Sequence, residues 1–179
     1  MTSEEKKQFI NKLSVIMEQI TTTFYESSST LDDPLDFEPY KEPQFDALNG
    51  MLDNSCQEKK LNEDFAVFGE RGCSSKVAVW LLKNRTFKNA PVVLIGSEGE
   101  LEVIASDYLS FMVLSASGYD MYQFLRIKDL ATPWHSENPY LLNWLKINFD
   151  IQPPNNLIEW FEEVKRINPE VKQTIELTE

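Results

Sequence analysis

The chain contains few histidines, cysteines and glycines. The shortage of histidine argues against one kind of metal site, and the shortage of cysteine argues against a disulfide framework. It has one histidine, two cysteines and six glycines in 179 residues. A single histidine cannot build a multi-histidine metal site, so His135, in the segment ATPWHSENP, is interpreted as a structural or surface residue. Two cysteines are too few for a disulfide framework. We therefore expect Cys56 and Cys73 to be reduced thiols with no bridge.

Long hydrophobic runs are also missing. The longest apolar run, Val77 to Leu82, is far shorter than the ~20 residues that a membrane-spanning helix needs. The N-terminal segment MTSEEKKQF has no apolar stretch of the kind found in secretion signals. These features predict a cytoplasmic protein without a membrane partner.

Positive charge is scarce. The chain has 17 Lys and Arg against 29 Asp and Glu, and its formal net charge is −12. Nucleic acids and anionic membranes attract Lys and Arg, so neither is an expected partner. Residues 26–64 hold eleven acidic residues against three lysines, which gives −8 of the total −12. A basic protein is the expected partner.

Two of the glycines lie in GSEGE, Gly96 to Glu100, between two apolar runs. A phosphate-binding loop brings backbone N–H groups and a cation to the anion, and a helix follows it. GSEGE instead carries two glutamates and no Lys or Arg, and the strand-like segment LEVI follows it. The pattern favours a β-hairpin turn in which glycine supplies a positive φ. No cofactor is predicted.

The hydrophobic pattern predicts an α+β protein. Apolar residues at helical spacing indicate an N-terminal helix over residues 1–25, with capping-box spacing between Thr2 and Glu5. The turn formers that follow, and then Pro34, predict that residues 26–64 form an irregular acidic loop region, tethered by its apolar side chains. Within this region, QFDALNGML has the pattern of a short helix.

The segment 65–118 has the pattern of a sheet followed by a helix. The short apolar runs FAVF, KVAVWLL, PVVLI and LEVI, separated by turn residues, predict an antiparallel sheet of about four strands. Ser106 is the expected N-cap of the next helix. Residues 119–179 predict further helices, beginning with MYQFLRIKDL and continuing after Asn138 and after Asn155 or Asn156. We expect a single domain in which helices cover one face of the sheet.

Residues that could carry chemistry are few. Adjacent carboxylates such as Asp32 and Asp33 arise by chance in so acidic a chain, and no segment has the Asp/Asn and glycine spacing of a calcium loop. The sequence therefore predicts no catalytic residue and no metal ligand. The strongest binding feature is the acidic and aromatic segment DDPLDFEPYKEP, and the alternative interpretation of this segment, a solvated loop packed through Leu35 and Phe37, is the favoured one. The candidate partner-binding residues are Asp32, Asp33, Asp36, Glu38, Tyr40, Glu42, Glu98 and Glu100.

Part of the chain resembles a known family. FAVFGERGCSSKVAVWLL, followed by PVVLIGSEGELEVIASDYLSFMVLSASG, resembles the SUKH superfamily, which includes fungal cell-wall assembly regulators and bacterial toxin-immunity proteins. The matching positions are Pro91 to Glu100, Val103 to Ser106 and Leu109 to Leu114. The resemblance covers residues 61–118, about a third of the chain. The family's N-terminal Leu-Pro-x-x-Tyr signature and Asn-Gly-Gly turn are absent, so residues 26–64 inherit no family role.

The resemblance implies a non-catalytic α+β domain that binds another protein. The first hypothesis is an immunity protein that neutralises a bacterial toxin, such as a nuclease, through an acidic surface. The second is a cytoplasmic regulatory or scaffolding domain of the same fold whose partner is not a toxin. An enzyme acting through carboxylates or a metal is the third, and it is supported only by the abundance of Asp and Glu. The sequence leaves the oligomeric state open.

Overall fold

The computed structural model describes residues 3–28, 37–45, 64–71, 74–81, 85–86, 88–96, 101–120, 122–123 and 127–168. In chain order these residues form an N-terminal helix, a five-stranded antiparallel sheet and a set of C-terminal helices. The predicted α+β class is confirmed.

The first helix, α1, spans Ser3–Ser28. Glu4 and Glu5 lie in its first turn, where negative charge is favoured by the helix dipole. The helix runs three residues past its expected end near Tyr25, and within its last turn the Ser27 hydroxyl donates to the Thr23 carbonyl. The buried apolar residues of α1 recur every three or four positions, which keeps their side chains on one side of the helix. The buried apolar residues of α1 are Phe9, Leu13, Met17, Ile20 and Phe24.

The sheet contains five strands rather than about four. They are β1 (Glu38–Gln44), β2 (Phe65–Glu70), β3 (Lys76–Trp80), β4 (Val92–Ile95) and β5 (Leu101–Ala105). Each strand pairs antiparallel with its neighbour in sequence, in the order β1-β2-β3-β4-β5. Ile95 lies opposite Leu101, so β4 and β5 form the predicted hairpin, although loop residues 97–100 lie outside the described part of the chain.

The additional strand, β1, lies inside the segment that was expected to be an irregular loop, so that prediction is wrong for residues 38–44. The strand was missed because Pro39 and Pro43 interrupt it, and proline is depleted in strands. A proline cannot donate to a sheet ladder and is therefore tolerated at an edge. β1 pairs only with β2, so it is an edge strand. The short helix expected in QFDALNGML falls mainly outside the described residues.

Helices pack against both faces of the sheet, which corrects the expectation of one covered face. Successive residues of β3 point to opposite faces, so Val77 and Val79 join one buried cluster while Ala78 and Trp80 join another. The first cluster includes side chains of α1 and of the helices that follow the sheet. On the second face, Trp80 stacks on Phe65 with ring centroids 5.6 Å apart, and Val164 of the last helix packs there.

Among the described residues, three α-helices follow the sheet: α2 (Tyr108–Ala116), α3 (Pro139–Phe149) and α4 (Leu157–Ile167). Asp107, rather than the predicted Ser106, caps α2 by accepting from the backbone N–H of Ser110. The Asn138 and Asn156 side chains cap α3 and α4, as the sequence predicts. The end of the segment MYQFLRIKDL, which was expected to be helical, lies in a short 3₁₀ helix, Ile127–Ala131. Residues 121 and 124–126 of this segment lie outside the described part of the chain.

The start of β1 is held by an aromatic cluster. The Phe37 ring meets the rings of Phe24, Phe68 and Phe111 edge to face, at centroid distances of 6.4, 6.3 and 5.2 Å. Gly69 of β2 provides the space for this ring, because a Cβ added there would overlap the Phe37 side chain and crowd the Glu38 carbonyl oxygen. The absence of a side chain at position 69 therefore lets Phe37 pack against the core.

We expect Gly69→Ala to lower the free energy of unfolding by about 1–3 kcal/mol, as other overpacked cores do. The added methyl group must displace the Phe37 ring, so amide exchange in β1 should also become faster. Urea denaturation and hydrogen exchange measure the two effects. Ser136→Ala, at an exposed position, is the control and should change neither. A Gly69→Ala variant with unchanged stability would show that the contact does not hold β1.

Candidate functional site

The exposed carboxylates of β1 form an acidic feature on an ordered part of the described chain. Glu38 and Glu42 are both exposed on this edge strand. Helix α1 lies beside the strand and is bonded to it: the Thr21 hydroxyl donates to the Tyr40 carbonyl at 3.0 Å, and the Tyr25 hydroxyl donates to the Pro39 carbonyl at 3.3 Å. These bonds fix the acidic strand to the longest helix. We call the exposed residues Tyr25, Glu26, Glu38 and Glu42 the acidic edge.

Three of the eight predicted partner-binding residues lie within the described part of the chain. Glu38 and Glu42 belong to the acidic edge, whereas Tyr40 is half-buried between them. The other five predicted residues lie outside the described residues; they are Asp32, Asp33, Asp36, Glu98 and Glu100. The structure thus places two predicted carboxylates on one strand.

Tyr25 was missed by the sequence reasoning. It lies next to Glu38 and is 45% exposed. Partial burial, followed by the charge of Glu38 and a hydrogen bond to it, raises the pKa of the Tyr25 phenol. The sequence did contain a signal for this residue. Tyr25 directly follows Phe24, the last buried apolar residue of α1, so it lies where the buried side of the helix meets the solvent. Exposed tyrosines beside charged residues are common in protein-binding surfaces.

Tyr40 packs against the core and its hydroxyl lies in a polar group with Glu70 and Lys76. Glu70 and Lys76 face each other across β2 and β3 and form an ion pair. The Lys76 Nζ also donates to the Tyr40 hydroxyl at 3.3 Å. The Lys76 hydrogen bond, then that of Tyr40, holds the pKa of Glu70 below its usual value, and partial burial is the main cause that raises the pKa of Tyr40. Tyr40 therefore anchors β1 to the sheet, and its contact with a partner stays a prediction.

The Glu70 interaction predicts a pH-dependent stability. At pH 7 we expect Glu70→Gln to lower the free energy of unfolding by up to about 1 kcal/mol, because the pair is partly exposed. A lowered folded-state pKa stabilises the protein above the ordinary carboxyl pKa of 4.5, and this contribution disappears as the pH falls through the folded-state value. The difference between wild type and variant should therefore vanish in acid.

Urea denaturation across a pH series measures this difference. Glu162→Gln removes an exposed carboxylate of α4 and serves as the matched control. If the free energies of unfolding of wild type and Glu70→Gln differed by the same amount at every acidic pH, the Glu70 charge would not be the source of the stabilisation.

A second polar group surrounds Asp120, which is buried. One carboxylate oxygen of Asp120, Oδ2, lies 3.3 Å from Arg71 Nη2 and 3.5 Å from His135 Nε2. The other, Oδ1, accepts from the Tyr122 backbone N–H at 2.8 Å. The Arg71 guanidinium lies 4.5 Å from the centre of the Tyr122 ring, and the Tyr122 hydroxyl bonds to Ser75 Oγ at 2.6 Å.

This Asp120 cluster joins two distant parts of the chain. Arg71 and Ser75 flank the β2–β3 turn, whereas Asp120, Tyr122 and His135 belong to the connection between α2 and α3. Both carboxylate oxygens of Asp120 are engaged by protein groups. These contacts connect the two segments, and His135, which was interpreted as a structural or surface residue, is part of the connection.

Removing the charge of Asp120 should destabilise the fold. We expect Asp120→Asn to lower the free energy of unfolding by about 2–4 kcal/mol, because a largely buried ion pair loses its anion and Arg71 keeps its charge. Glu163→Gln, which breaks the exposed pair with Arg166, is the comparison and should have little effect. Equal losses in the two variants, measured by urea denaturation, would contradict a structural role for the Asp120 cluster.

Across the described ranges, no group of three or more His, Cys, Asp or Glu side chains could hold a metal ion. No helix in that part of the chain combines the length and the apolar character that a bilayer crossing requires.

Comparison with known proteins gives no relative. No family model, no curated protein and no solved structure matches the chain.

Proposed function

We propose that this chain is a non-catalytic protein-binding module that holds a basic partner through its acidic edge. The observation that carries the proposal is the place of one part of the most acidic segment: residues 38–44 form an edge strand that exposes Glu38, Lys41 and Glu42 and is fixed to α1 and β2. An ordered acidic surface loses less conformational entropy on binding than a free loop does.

The distribution of charge supports this surface. Residues 26–64 have a net charge of −8, whereas residues 65–118 hold five acidic and five basic residues and are neutral. The charge is therefore concentrated in the segment that contributes β1. Concentrated charge attracts an oppositely charged protein over distance and raises association rates roughly 10- to 1,000-fold.

The edge strand itself favours recognition by side chains. Pro39 and Pro43 lack backbone donors, and the Pro39 and Tyr40 carbonyls accept from side chains of α1. Prolines and charged residues on an edge strand oppose the addition of another strand. A partner would therefore meet the carboxylates and Tyr25 rather than extend the sheet.

The favoured biological role is that of an immunity protein for a bacterial toxin. A toxin that cleaves nucleic acid carries basic residues where it holds phosphate, and an acidic protein can cover that site. The SUKH superfamily, which residues 61–118 resemble, includes bacterial toxin-immunity proteins. The alternative is a cytoplasmic regulatory or scaffolding module that uses the same surface for a partner present during normal growth.

The gene neighbourhood and a toxicity assay separate these roles. For an immunity protein we expect an adjacent gene whose product arrests growth, and co-expression of this chain should restore growth. A regulatory module would have no toxic neighbour, and its deletion would change growth in the absence of any toxin.

The acidic edge is tested by the rate at which the chain associates with the neighbouring gene product. We expect Glu38→Lys/Glu42→Lys to slow association about tenfold at low salt. Because salt screens exposed charges, the association rates of wild type and variant should become similar at roughly 0.5 M salt. Glu159→Lys/Glu162→Lys makes the same change in net charge on α4 and is the matched control. Equal slowing by both double variants would reject a localised acidic site, and salt-independent association would reject the electrostatic mechanism.

A further inference from the structure

A groove with a basic rim, in contrast to the acidic edge, lies along the N-terminal half of α1. Its volume is about 900 Å³, and its walls come from α1 and from the connection between β3 and β4. Three of its described lining residues are apolar, Phe9, Val15 and Ile16, and three are basic, Lys12, Arg85 and Lys88. The others are Glu5, Gln8, Asn11 and Thr86. The residues of the acidic edge do not line it.

The floor of the groove is apolar and continuous with the core. Phe9 is a buried member of the main hydrophobic cluster, and Ile16 packs against that cluster. Val15 lies beside them and is 57% exposed. A ligand with apolar side chains would cover Val15 and remove this surface from water.

The rim of the groove is basic although the chain as a whole is strongly acidic. Lys12, Arg85 and Lys88 face one carboxylate, Glu5, among the described lining residues, so their formal sum is +2 in a chain of −12. Arg85 donates to three neutral oxygens, those of the Asn89 carbonyl, the Ile167 carbonyl and the Asn168 side chain. Within the described residues, Lys12 and Lys88 form no ion pair. Three cations thus border an apolar floor without a matching number of anions.

The length of the groove indicates the size of its ligand. Its lining on α1 runs from Glu5 to Ile16, and at ~1.5 Å per residue this distance is ~17 Å. An extended peptide rises by ~3.3 Å per residue, so about five residues would fill the groove. In an extended peptide, alternate side chains can face the floor and the rim.

We propose that this groove binds a short extended segment of a partner protein in which apolar residues are interspersed with carboxylates. Val15 and its neighbours take the apolar side chains, and Lys12, Arg85 and Lys88 take the carboxylates. Because the groove and the acidic edge are separate surfaces, this inference does not rest on the proposed function.

Selection from a phage-displayed library of random peptides tests the chemistry of the groove. Peptides selected on the full chain should be enriched in Asp and Glu between apolar residues. For a labelled selected peptide, fluorescence polarisation should show at least about tenfold weaker binding to Lys12→Glu/Lys88→Glu, because two attractive charges become repulsive. Lys7→Glu/Lys146→Glu, at exposed positions outside the groove, makes the same charge change and should bind within about twofold of wild type.

The remaining outcomes also decide the proposal. Selected peptides without acidic residues, or equal binding by the two double variants, would overturn it.

The chain's own residues 169–179, PEVKQTIELTE, have similar chemistry and follow Asn168, which is bonded to Arg85. If Ile175→Lys/Leu177→Lys in the full chain strengthened peptide binding about tenfold, this segment would be a competitor and a partner-supplied occupant would be rejected. Unchanged binding by that variant supports a partner segment.

Discussion

The contact between the Phe37 ring and the bare backbone of Gly69 determines where the acidic segment lies. Phe37 enters an aromatic group contributed by α1, β2 and α2, and its ring occupies the space where any other residue at position 69 would place a side chain. Once the ring is packed, the next residues continue as β1 along β2. The carboxylates of β1 are then presented by an ordered strand, and a surface for a partner becomes possible.

The two surfaces proposed for binding carry opposite charges, which the net charge of the whole chain does not indicate. A net charge of −12 describes the whole molecule, yet the segment from residue 65 to 118 is neutral. The basic residues of the β3–β4 connection and of α1 meet at one groove, while the acidic residues of β1 lie on the sheet edge. Charges that are distant in sequence therefore form local fields of opposite sign, and such fields orient a partner during encounter.

Two polar groups, one around the buried Asp120 and one around the partly exposed pair of Glu70 and Lys76, link separate parts of the described chain. Asp120, Arg71 and His135 tie the β2–β3 turn to the connection after α2, and Glu70 and Lys76 pair across neighbouring strands with the Tyr40 hydroxyl beside them. A largely buried carboxylate is costly unless cations and donors surround it, and Asp120 has both. Each of these titratable side chains therefore has a contact within the fold.

The sequence by itself determined the α+β class, strands β2 to β5, the N-terminal helix and two of the helix caps, because hydrophobic periodicity and capping are local properties. The composition of one short segment also made Glu38 and Glu42 candidates for binding a partner, and both are exposed on β1. Tertiary structure alone decided that this segment forms a strand, because its prolines argue against a strand until β2 supplies a partner and Gly69 supplies the space for Phe37. The packing of α4 on the second face, the exposure of Tyr25 and the basic groove likewise depend on contacts between residues far apart in the chain, and no local pattern encodes them.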